Sequence, residues 1–139
     1  MAKLEELFEN EGFVAKMKAI ETDEEMQALV NEYKIEIPNI AENAEGELTE
    51  DDLQAVAGGM SLTGMVDAFK FVWDNGGGKA VKGLINAKTI KAFYICCKAN
   101  SDFNNGNMYR TYSESTVRNA MNTLDNALSK VPKWMLFNR

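Results

Sequence analysis

Cys96 and Cys97 are the two thiols of this chain, and it contains no histidine. Without imidazole, Ser-His-Asp catalysis, histidine-based zinc sites and imidazole general bases are all excluded. Adjacent cysteines rarely pair with each other, because their Cα atoms lie too close for disulfide geometry. No Cys-x-x-Cys spacing is present for redox chemistry or zinc binding. Two bare thiols in an apolar stretch read as buried hydrophobes. Gly76-Gly77-Gly78-Lys79 lacks the spacing of a phosphate-binding loop and the Ser or Thr that follows its lysine. The acidic residues crowd the N-terminal part with no partner motif for acid–base work. No enzyme activity, cofactor or metal is therefore expected.

A different chemistry fits Gly58-Gly59, in which the chain is the substrate. The segment before the pair reads Gly46-Glu47-Leu48-Thr49-Glu50-Asp51-Asp52-Leu53-Gln54-Ala55-Val56-Ala57. Thr49 and Asp52 have the spacing of a capping box, with Asp as a shorter substitute for Glu. Glu50, Asp51 and Asp52 fall in the first turn, where the helix dipole favours negative charge. Leu53 and Val56 share one helical face, Leu48 lies just before the cap, and the two glycines suit a helix stop. So short a helix is marginal in water by itself.

This segment resembles the double-glycine leaders of bacteriocins and other ribosomally made peptides. With Gly59 as position −1, the family expects apolar residues at −4, −7 and −12, and Val56, Leu53 and Leu48 stand there. The Gly76–Gly78 cluster serves as an internal control. Counting back from Gly77 meets Asp74 and Lys70, and counting back from Gly78 meets Asn75, so that cluster reads as a turn. The resemblance implies recognition through Leu48, Leu53 and Val56, and a cut between Gly59 and Met60 by a cysteine peptidase fused to an ABC exporter.

These positions divide the 139 residues into two parts of opposite charge. Residues 1–59 hold 16 Asp/Glu against 4 Lys/Arg, and residues 60–139 hold 5 against 11. Such asymmetry suggests parts with different partners. Apolar residues make up 45% of the chain, enough for a packed core. No apolar run is long enough to span a membrane, and the acidic N-terminus does not fit a Sec-type signal.

The pattern predicts an all-α chain: a small helical leader, residues 1–59, followed by an amphipathic, roughly three-helix region, residues 60–139. In the leader, Leu4, Leu7, Phe8, Val14 and Met17 form a helical stripe interrupted at Glu11 and Gly12. Thr22 and Glu25 form a capping box ahead of Met26, Leu29, Val30 and Tyr33. Ile35, Ile37 and Ile40 around Pro38 predict extended chain. This upstream region is similar to leaders of the nitrogen-fixation-associated type, which implies a docking handle for a leader-dependent modifying enzyme. In that setting Cys96 and Cys97 become candidate modification sites, through thioethers to a dehydrated Ser or Thr.

In residues 60–139, Leu62, Met65, Val66, Phe69, Val72 and Trp73 predict a helix over 62–74. A second helix is expected over about 79–98, with Lys79, Lys82, Lys88, Lys91 and Lys98 as its charges and no acid. A helix of that kind suits either an anionic membrane surface or an ordinary solvated face. Residues 100–107 read as a loop. Val117, Met121, Leu124, Leu128 and Val131 form a heptad-like stripe ended by Pro132. Nucleic acid is not an expected partner, since the lysines follow no binding motif and arginines number three.

The reading that unites these features is the precursor of a secreted bacteriocin-like peptide, made in the bacterial cytoplasm, with its mature region exported. The rival reading is an uncleaved intracellular helical protein, such as an immunity or adaptor protein, in which the glycine pair is a hinge. The two halves are expected to be loosely coupled.

Overall fold

The computed structural model describes residues 2–42, 46–56 and 61–136. The fold is all-α, 66% helical, with nine helices and no strands among the described residues. They are α1 (Leu4–Leu7), α2 (Glu11–Ala19), α3 (Asp23–Glu32), α4 (Glu50–Val56), α5 (Leu62–Asp74), α6 (Gly77–Ala80), α7 (Ala87–Asn104), α8 (Glu114–Ser129) and α9 (Lys133–Leu136).

Side-chain caps set most of these boundaries. The Asn10 Oδ1 accepts from the Phe13 amide at 3.0 Å and starts α2 afresh, so the first expected helix is two. The Thr22 hydroxyl accepts from the Glu25 amide at 3.2 Å and opens α3. The second basic helix also begins later than expected. Gly76 has φ +91° and Gly83 φ +86°, and Asn86 and Thr89 then form a reciprocal capping box, so α7 starts at Ala87. At its far end α7 runs on through residues expected to be a loop. Ala99 and Asp102 are buried there, and packing of that face holds the helix to Asn104. Gly106, at φ +104°, closes α7 in a Schellman arrangement: the Asn107 amide donates to the Asp102 carbonyl at 2.9 Å and the Gly106 amide to the Phe103 carbonyl at 3.0 Å.

Helices α5, α7 and α8 pack on one another, and both charge halves contribute to one core. Leu4, Phe13, Met17 and Met26 from the first half are buried with Phe69, Ile90, Phe93 and Leu124 from the second. Phe93 lies at the join, its ring centroid 4.6 Å from Phe69 and 5.6 Å from Phe8. The expected loose coupling of the halves is therefore not what the packing shows. Stripes too short to be stable alone acquire a common apolar interior. The chain after α3 carries no helix over residues 36–42, and Ile35 pairs with Ala2 in an isolated parallel bridge.

Candidate functional site around the acidic helix α4

The Thr49–Asp52 capping box is present in both directions. The Thr49 amide donates to Asp52 Oδ2 at 3.1 Å, and the Asp52 amide donates to the Thr49 hydroxyl at 3.2 Å. Two otherwise unpaired amides are thereby satisfied at the start of a seven-residue helix. Helix α4 lies antiparallel against α5, with Ala55 beside Gly64 and Asp52 facing Asp67. The two helices are joined by residues 57–61, and the Ser61 hydroxyl opens α5 by accepting from the Gly64 amide at 3.1 Å.

The face of α4 turned to the protein carries Asp52 and Ala55, both buried. Leu53, one position round the helix, is half-buried, and Leu48 is half-buried against the core. Two of the three recognition residues expected from the sequence thus lie beside the docked face rather than at its centre. Val56 ends α4, with its side chain outside the described residues. Gly58, Gly59 and Met60 also lie outside them.

Burial, and then the Asp52 carboxylate opposite, raise the Asp67 carboxyl above its ordinary range, with Lys70 opposing. Glu5 is also raised, first by burial and then by Asp74, against Lys70 and Lys3. Two acids of the first half thus stand against acids on α5. The sequence names both partners, but their apposition depends on how helices distant in the fold pack. Gly64 inside a predicted helix was a signal of close helix approach that sequence reasoning passed over.

Cys96 is buried and Cys97 half-buried. Burial is the main cause that pushes both thiols up to about 12, reinforced for Cys96 by Cys97 and for Cys97 by Glu5. The thiolate is the nucleophile in thioether chemistry, and burial disfavours that form at both sulfurs. The apolar positions of α7 are largely consumed by the core: Ile90, Phe93 and Cys96 are all buried. Its lysines remain on the outside or at the rim, and Lys82, Lys88 and Lys130 line one cleft with Asn86, Thr123 and Asn126. No group of three or more metal-ligating side chains occurs among the described residues, and none of the described helices is long and apolar enough to cross a membrane. Comparison with protein-family models, curated proteins and solved structures returned no match.

Proposed function

We propose that the chain is the precursor of a secreted bacteriocin-like peptide. Residues 1–59 direct recognition, and an ABC exporter with its own peptidase domain cuts after Gly59 and exports residues 60–139. The observation that carries this reading is α4 itself: an acidic helix, reciprocally capped by Thr49 and Asp52, ending at Val56 just ahead of Gly58-Gly59. A helix so short is suited to docking by its apolar side chains in a partner's groove. Leu48 and Leu53 supply such side chains, and the side-chain-free glycines suit a narrow channel to the nucleophile. The catalytic residues belong to the exporter. Helices α1–α3 offer a surface for a modifying enzyme, and the lysine-rich second half suits an anionic membrane.

One observation favours a second reading. The core runs across both halves, as expected of an uncleaved intracellular immunity or adaptor protein. Incubation with the peptidase domain of the cognate exporter, read by intact mass, separates the two. A product beginning at Met60 supports the precursor. A full-length chain that survives the peptidase, and is found in lysate but not in culture supernatant, supports the uncleaved protein.

A further inference from the structure

Besides the docking of α4 on α5, the two halves are bound by contacts whose residues are remote in sequence from the junction at residues 57–60. The Ile37–Ala41 segment crosses the glycine turn at Gly76–Gly78. Gly76 has φ +91°, and a Cβ built there would lie 2.6 Å from the Ile40 nitrogen and 2.8 Å from the Asn39 carbonyl carbon. That approach is closed to any residue with a side chain. At Gly78 a Cβ would be 3.3 Å from Ile37 Cγ2. The Ala41 amide donates to the Asn75 carbonyl at 3.3 Å, and Lys79 donates to the Asn39 side chain.

A second patch is aromatic. Phe8 packs edge-on against Phe93 and Tyr94, at centroid distances of 5.6 and 5.2 Å. Hydrogen bonds from α3 add to these. Asp23 Oδ1 accepts from the Ala87 amide at the start of α7, and Gln27 donates to the Ile85 carbonyl, both at 3.1 Å. A cut in residues 57–60 breaks none of these contacts.

We infer that the chain does not come apart when it is cut between Gly59 and Met60. Residues 1–59 stay bound to residues 60–139 as a non-covalent complex. Together with α4 on α5, two patches hold it: the Ile37–Ala41 segment over the Gly76–Gly78 turn, and Phe8 on Phe93 and Tyr94. The partner of the basic half is thus its own acidic half. In the processing reading, cleavage and release become separate events, and the transport step must strip the leader from its cargo. The inference itself concerns any cut at this point, whichever protease makes it.

The test uses the full chain with the recognition sequence of an unrelated site-specific protease inserted between Gly58 and Gly59. After complete cutting, the sample is run on size-exclusion chromatography at micromolar and nanomolar concentrations, with intact-mass detection. Co-elution of both fragments at the position of the uncut 15.5-kDa chain is expected. Separate elution at micromolar concentration overturns the proposal. Gly76→Val and Phe8→Ala address the two patches from opposite halves, and each is expected to raise the dissociation constant at least tenfold. If Gly76→Val disturbs the uncut fold, Phe8→Ala still reads the aromatic patch from the leader side. Variants as tightly held as the parent overturn the assignment of the patches. Because an unrelated protease makes the cut, the outcome is distinct from whether an exporter peptidase accepts the chain.

Discussion

Ala55 and Gly64 meet across the antiparallel helices α4 and α5, so closely that a Cβ on Gly64 would lie 2.7 Å from the Ala55 Cβ and 3.2 Å from the Asp51 carbonyl oxygen. Gly64→Ala therefore forces the helices apart. Alanine favours α5 itself by up to about 1 kcal/mol over glycine, so the disturbance falls on the docking of α4. Overpacking of this kind costs about 1–3 kcal/mol. The expected outcome is about tenfold faster hydrogen exchange in the α4 amides, with α8 unaffected. Exchange in α4 at the parent rate would contradict the contact.

Recognition and chemistry at the double glycine should separate by mutation. Leu53 is half-buried and outside the main core, so Leu53→Ala should leave folding nearly intact. As an anchor in a peptidase groove, a fully buried leucine is worth roughly 1.5–3 kcal/mol. Its loss should weaken docking at least tenfold with the cleavage position unchanged. Gly59→Val should bind normally and resist cutting. Peptidase affinity and cleavage rate, measured separately, check the division; equal processing of Leu53→Ala at limiting enzyme would exclude the anchor.

Asp67 gives a pH signature. Its folded-state carboxyl is raised, by burial first and by Asp52 next, with Lys70 opposing. A raised carboxyl keeps its proton to higher pH when folded than when unfolded. Its stabilising contribution is complete below the unfolded value of about 3.9 and is lost as pH rises through the folded value. Asp67→Asn should therefore melt higher than the parent at neutral pH, with the advantage shrinking as pH falls towards that unfolded value. A melting-temperature difference independent of pH would show that the folded Asp67 carboxyl is not raised.

Thiol chemistry should be slow. With both cysteines at about 12, the thiolate fraction at mildly alkaline pH is at least about a hundredfold below that of a free cysteine, whose pKa is about 8.5. Alkylation should be suppressed accordingly in the folded chain and restored in denaturant. Rapid labelling of both thiols without denaturant would contradict their burial.

Isolated residues 60–139 should bind anionic vesicles, and less so as salt rises. Each lysine near such a surface contributes roughly 1 kcal/mol, screened over a Debye length of about 8 Å at physiological salt. The full chain should bind more weakly, because Phe8 covers Phe93 and Tyr94 and the first half adds its acids. Equal binding of both to neutral vesicles, without salt dependence, would exclude the mechanism.

Where a helix is fixed by its own residues, the sequence was legible. The Thr49–Asp52 box, the 62–74 helix and the stripe from Val117 to Leu128 all appear where spacing and capping chemistry placed them. The misses have two causes, caps passed over and burial that the local sequence does not show. Asn10 caps a new helix where the apolar stripe alone suggested an interrupted one, and Asn86 does the same after the glycine turn. Residues 100–104 have loop-forming side chains, yet burial of Ala99 and Asp102 keeps them helical. For the candidate site, the capping residues could be read locally. Which face of α4 meets α5 could not, because a leucine stripe does not reveal that a glycine on another helix admits Ala55.

Phe8 and Phe93 are partners separated by 85 positions in the chain. Bacterial or eukaryotic synthesis at about 5–20 residues per second leaves roughly 4–17 s between their emergence from the ribosome. During that interval Phe8 has only Phe13 of its own half as an aromatic neighbour, and α4 waits for α5. The nascent chain therefore offers the acidic helix α4 openly until α5 has emerged, and its remaining contacts wait for α8. An enzyme that reads this segment meets its most accessible form on the ribosome, and the order of translation acts as a timer on that encounter.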